Sequence, residues 1–154
     1  MNAIGIVLGL CVAILACASP PPGFSEASVR HGCSQEDAPA MEIYLTRVRF
    51  DGGSVPPRPF IRLEIAGRNQ AAMLGKAIDL APLSRAGRDP ALPLARAEFH
   101  GEGSAHEWLR GKITLRSVEA SRAVEGTYEL KGSGEQVWKG TFRARWIASA
   151  GGCG

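Results

Sequence analysis

The sequence predicts an all-β domain, an antiparallel β-sandwich of about seven strands with its two ends joined by one disulfide. Three observations point there. Glycine and proline are plentiful, 19 and 10 residues, while aromatics make up only 6% of the chain. Such a turn-rich composition favours short strands over long helices. Apolar and polar residues alternate over several short runs, which is the period of a half-buried strand. Two cysteines, Cys33 and Cys153, flank those runs. At 45% apolar and 21% charged residues, the chain reads as one globular domain with an N-terminal tail.

The tail comes first. Residues 3–18 are uncharged and almost wholly apolar, and Pro20, Pro21 and Pro22 end the run. It is shorter than the roughly 20 residues of a spanning helix, so residues 1–16 are expected to be a secretory signal peptide. The end of the run, Ile14-Leu15-Ala16-Cys17, resembles the lipobox of bacterial lipoproteins. That resemblance implies a diacylglycerol on Cys17, which becomes the new first residue, and a membrane as partner through the lipid. Two alternatives stay open. Ala16-Cys17-Ala18 also fits the A-x-A site of ordinary signal peptidase, which would leave the protein secreted or periplasmic. A retained anchor is the other. Residues 17–39 read as a flexible tether, Pro-rich and without periodicity, leading into a domain at 40–154.

The cysteines have separate expected fates. Cys11 leaves with the signal and Cys17 takes the lipid, so Cys33 and Cys153 remain. Outside the cytoplasm these two are expected to pair. Closing so long a loop is worth about 4–5 kcal/mol in the chain-entropy picture. No C-x-x-C spacing suggests a cysteine zinc site.

Along the domain, residues 41–50 alternate with a phase slip: Met41, Ile43 and Leu45 share one parity, Val48 and Phe50 the other. A bulge near Thr46-Arg47, or a strand crossing between sheets, is expected there. Asp51 to Pro59 form a stiff loop. Residues 60–66 form a strand with Ile61, Leu63 and Ile65 inward and Arg62 and Glu64 outward. Met73, Leu74, Ala77, Ile78 and Ala81 suggest a helical face that Gly75 interrupts, so a short strand at 76–80 is preferred. Another strand is expected at 94–99.

Residues 112–118, 123–131 and 137–147 form three alternating runs, read as an antiparallel meander. Their inward sets are Ile113, Leu115 and Ser117; Val124, Gly126, Tyr128 and Leu130; and Trp138, Gly140, Phe142, Ala144 and Trp146. One register aligns Lys112–Glu129–Lys139, Thr114–Thr127–Thr141 and Arg116–Glu125–Arg143 on the outer face. Opposite charges and Thr pairs directly across strands each add about 0.2–1 kcal/mol. The same register places Gly126 between Leu115 and Phe142 and Gly140 beside Tyr128, where aromatic rings shield strand glycines.

These C-terminal motifs, Val124-x-Gly126-x-Tyr128-x-Leu130, Gly140-x-Phe142-x-Ala144-x-Trp146 and Cys153-Gly154, together with the lipobox, resemble uncharacterised bacterial envelope lipoproteins. Members often carry a further cysteine pair before the meander, which residues 99–109 here lack. The resemblance implies an envelope location and no particular activity.

The candidate chemistry is sparse. Glu98, His100, Glu102, His106 and Glu107 are the one dense set of metal-ligand residue types, but H-E-x-x-H fails for want of a second histidine. With Gly101 and Gly103 between them, they read as a polar hairpin. His100-x-Glu102 has no following cysteine pair, as a zinc deaminase would require. Ser104 lacks the glycines of a nucleophile elbow. No phosphate or dinucleotide loop occurs, so no cofactor is expected. Arg47, Arg49, Lys112, Arg116, Arg143 and Arg145 suggest a basic face, yet Glu125 and Glu129 fall among them and neutralise it, leaving Arg145 unpartnered. The net charge of +3 is mild and unclustered, so no nucleic-acid partner is expected. The stripe Trp138, Phe142, Trp146 reads as core, because its strand's other face is charged. The expected role is non-enzymatic: a binding or accessory module. The rivals are a metal-dependent enzyme using the Glu98–Glu107 cluster and a small exported inhibitor.

Overall fold

A computed structural model describes residues 23–34, 38–67, 70–80, 94–120 and 122–149. The expected signal peptide, Cys17 and Cys153 lie outside the described residues. Among the described residues eight strands follow in order: β1 (Glu26–Cys33), β2 (Pro39–Thr46), β3 (Phe60–Ala66), β4 (Ala77–Leu80), β5 (Leu94–His100), β6 (His106–Glu119), β7 (Ala123–Lys131) and β8 (Val137–Trp146). One 3₁₀ turn, Gln70–Met73, precedes β4.

The all-β expectation holds, but the sandwich does not: the sheet closes on itself as a seven-stranded barrel. Around the ring the order is β6-β5-β3-β2-β1-β8-β7 and back to β6, with β4 pairing along β6. Two features close it, and alternation alone reveals neither. The first is β1, which lies in the stretch expected to be tether. Ala27, Val29 and His31 point one way along it, but with only one β-branched residue among them the signal is weak. β1 pairs antiparallel with the whole of β2 and parallel with β8 through Ser28–Arg145 and Val29–Trp146. The amide of Ile147 extends the seam by donating to the Val29 carbonyl at 2.8 Å.

The second feature is the length of β6, which starts at His106 rather than Lys112. It pairs with β5 up to Leu109 and with β7 from Arg110. Gly111 sits at this change of partner with φ 144°, and a Cβ there would stand 2.0 Å from the Glu129 carbonyl oxygen. Only glycine lets the strand pass from one side of the barrel to the other at this point.

The meander register is borne out on both faces up to one bulge. Lys112 faces Glu129 and Glu129 faces Lys139; Thr114, Thr127 and Thr141 align; Glu125 faces Arg143. Inside, Gly126 lies between Leu115 and Phe142, and a Cβ on it would come within 2.7 Å of the Phe142 ring. Gly140 lies under Tyr128 in the same way. A shift between Leu115 and Ser117 breaks the third row. Glu125 therefore faces Ser117, not Arg116, and Val118 takes the inward place expected of Ser117.

The interior is filled with side chains. Met41, Ile43, Leu45, Ile61, Leu63, Ile65, Leu109, Ile113, Leu115 and Leu130 are among its fully buried members. Trp138 is buried with them, whereas Trp146 is half-buried and stacks on His31 at 4.5 Å. Apolar inside and charged outside is the reverse of the polarity of a channel-forming membrane barrel. The slip after Leu45 is neither a bulge nor a crossing. β2 ends at Thr46, and the loop folds back so that Phe50 packs with Tyr44 and Phe60 on the outer wall, while Val48 is exposed.

Candidate functional site

Strand alternation sends Glu42, Arg62, Glu64, Arg96, Glu98 and His100 to the outside of the barrel wall. Outside is not solvent here. Glu42, Glu64, Arg96 and Glu98 are all buried, with Glu64 only 2% exposed. The pairing puts Arg30, Glu42, Glu64 and Arg96 in one row across β1, β2, β3 and β5. Ser28, Tyr44, Arg62, Glu98 and Trp108 form the next.

Three arginines therefore meet three glutamates, and the contacts alternate in sign. Arg30 Nε donates to Glu42 Oε2 at 2.7 Å, and the Tyr44 hydroxyl donates to the same oxygen at 2.6 Å. Arg62 Nη2 bridges Glu42 and Glu64, and Arg96 Nη2 donates to Glu64 at 2.5 Å. Burial alone would raise the Glu42 pKa. The hydrogen bonds from Tyr44 and Arg30 and the charges of Arg62 and Arg30 overcome it and hold the carboxyl below its usual range. Burial and the Glu42 carboxylate push the Tyr44 hydroxyl the other way, so it stays protonated. A buried network is tolerable because every charge has an opposite neighbour. Among the described residues the accounting is incomplete at Arg96, whose Nε and Nη1 lack hydrogen-bond partners, and at Arg62 Nε and Ser28 Oγ. The Arg96 guanidinium lies over the Trp108 ring at 5.6 Å, a contact that favours a cation without a hydrogen bond.

The network ends in the set of residues that the sequence flagged. Glu98 divides its carboxylate. Oε1 faces Arg96 Nε at 3.7 Å and Arg62 Nη1 at 3.9 Å. Oε2 faces His100 Nε2 at 3.0 Å and His106 Nε2 at 3.4 Å. The geometry follows from the hairpin. Glu98 and His100 are two apart on β5 and share a face, and His106 lies directly across from His100 on β6. Phe60 stacks on His100 at 4.4 Å and nearly parallel, and Trp108 and His106 meet in a T-shaped contact at 5.5 Å. Burial lowers the His100 pKa more than Glu98 raises it, so the imidazole is neutral at neutral pH.

Of the flagged set, Glu98, His100 and His106 come together, whereas Glu102 and Glu107 do not. Glu102 sits exposed in the turn that Arg58 braces by donating to the Gly103 carbonyl. Glu107 has the opposite parity on β6 and accepts from the Ser133 amide in the β7–β8 turn, which lowers its pKa. Sequence reading missed Arg30, Glu42, Glu64 and Arg96 as members of any site. The signal was the repeat Arg62-Leu63-Glu64 and Arg96-Ala97-Glu98, opposite charges two apart on neighbouring strands.

The basic face is self-neutralised on the meander, where Lys139 pairs with Glu129 and Arg143 with Glu125. Arg145, expected to stand alone, instead binds Asp51 and the Phe50 carbonyl, because the 47–59 loop returns against β8. Cys33 ends β1 half-buried, and its expected partner Cys153 lies outside the described residues.

Comparison with family models, curated proteins and solved structures finds no match to the chain.

Proposed function

We propose that this chain is an exported binding or accessory module of a bacterial-type cell envelope, held to the membrane by lipid on Cys17. The reading begins with the apolar run that ends in Ile14-Leu15-Ala16-Cys17 and the Pro-rich stretch after it. The observation that carries it is the barrel itself: its interior is packed with aliphatic and aromatic side chains, so recognition falls to the outer wall. A charged exterior suits a domain displayed in water on a tether, and acyl chains would make the anchoring stable. A Cys33–Cys153 disulfide belongs to the same reading, because the barrel is closed between its first and last strands. The rival reading as a metal-dependent enzyme loses one residue of its cluster. Glu107, the carboxylate nearest in sequence to His106, is turned to the Ser133 amide and away from the histidines.

Palmitate labelling of the chain expressed in a bacterial host tests the anchor. Label on the wild type and none on Cys17→Ser is expected, while label retained by Cys17→Ser overturns it. Non-reducing mass spectrometry is expected to find a peptide linking Cys33 to Cys153. Two alkylatable thiols in the untreated protein would remove that part of the reading.

A further inference from the structure

We propose that Glu98, His100 and His106 form a binding site for a divalent transition-metal ion of the zinc type, with one side open to solvent. Each residue offers one donor atom, and these atoms lie within 4.8 Å of one another. Zinc bonds to nitrogen and oxygen of about 2.0–2.2 Å imply a tetrahedral donor–donor edge of roughly 3.3–3.5 Å. Two edges are already near that value, since the imidazole nitrogens stand 3.0 and 3.4 Å from Glu98 Oε2. The third edge, between the two imidazole donors, lies within 4.8 Å. An ion therefore needs a slight parting at Glu98 and an approach of the two imidazoles toward each other, the scale of side-chain rotation.

The surroundings suit a ligand set as well as the distances do. All three donors stand on paired strands of one hairpin, so the register fixes their spacing. The outer partners hold each donor in orientation, as the second shell of a metal site does. Arg62 and Arg96 lie toward one oxygen of Glu98 and leave the other to face the histidines. Phe60 fixes the His100 ring plane.

Access comes through His106, whose side chain is 40% exposed against 9% for Glu98. Three protein donors with an open fourth position are the pattern of a site that keeps a water or an exchangeable ligand. Two imidazoles and one carboxylate favour zinc, copper, nickel or cobalt over magnesium or calcium, which take oxygen donors. The nearby arginines oppose a second positive charge, so the site selects for metals that gain most from nitrogen donors.

The test is a titration of the full chain, purified in detergent and stripped with a chelator, with zinc and with cobalt. One equivalent of zinc is expected to bind, with magnesium failing to compete, and cobalt is expected to give visible bands of a four- or five-coordinate ion. His106→Ala, at the most exposed of the three ligands, is expected to weaken zinc binding at least about tenfold, as is His100→Ala. His31→Ala removes the third histidine, which stacks on Trp146 at the seam, and is expected to leave binding unchanged. Circular dichroism of each variant separates loss of the site from loss of the fold. No stoichiometric zinc on the folded wild type, or zinc held equally by a folded His106→Ala, would overturn the proposal.

Discussion

On the meander face Lys139 meets Glu129 at 3.1 Å with both side chains well over half exposed, at 73% and 63%. On the β2–β3–β5 face Arg96 meets Glu64 at 2.5 Å with 3% and 2% exposed. Both pairs point outward from the same barrel wall, and both join neighbouring strands. They differ in what water can do. An exposed pair exchanges one good solvation for another and contributes little. A buried pair has lost its water and depends on its partners for all its compensation. The outward face of a strand is therefore not one environment. On the meander side it is a solvated surface, and on the other it is a polar core outside the apolar one.

The largest expected effect follows from removing one charge of the sealed face. Glu64→Gln leaves Arg96 and Arg62 short of a counter-charge, and urea unfolding is expected to show a loss of about 3–5 kcal/mol. A loss no greater than that at an exposed pair would break the comparison. Next comes Gly32→Ala, where the new Cβ would meet Glu42 Cδ at 2.7 Å. That carboxyl is held by Arg30, Arg62 and Tyr44 and cannot swing aside freely. Overpacking of this kind costs about 1–3 kcal/mol. Gly134→Ala has open space around it and is expected to cost nearly nothing by the same assay.

Acid sharpens the contrast. The Glu42 pKa is lower in the folded protein than in the unfolded chain, so the unfolded chain takes up its proton first. Its ionised form contributes stability that is fully present above the ordinary carboxylate range. That contribution is lost as pH falls through the lowered value. Wild type and Glu42→Gln are therefore expected to differ most in unfolding midpoint near neutrality and to converge only as pH falls below the ordinary carboxylate range. A gap that stays constant with pH would assign the effect to shape rather than charge. The smallest effect belongs to the meander, where Glu129→Gln is expected to change stability by about 0–1 kcal/mol.

The same contrast explains what was legible in the sequence. The meander could be read because its inward and outward sets differ plainly in polarity, and charge and Thr rows on one face agreed with glycine–aromatic rows on the other. The register failed at Arg116 and Ser117, where a bulge adds a residue that no period announces. β1 was hidden because Ala27, His31 and Cys33 carry little apolar signal. Without β1 the ring has no closing strand, so the barrel looked like a sandwich. Gly111 gave the only local hint that β6 changes partner. At the candidate site Glu98, His100 and His106 could be found by residue type. Glu102 and Glu107 were then included by proximity in sequence, although strand parity separates Glu107 from its neighbours. Alternation places Arg62 and Glu64 outward, but it tells which side a residue takes and not what lies over it.

Paired double-mutant cycles test this most directly, with Glu64 and Arg96 in one and Glu129 and Lys139 in the other, each followed by urea unfolding. The account predicts a coupling of about 2–3 kcal/mol for the first pair and under roughly 0.5 kcal/mol for the second. Equal couplings would contradict it, for the two faces would then be a single solvated surface.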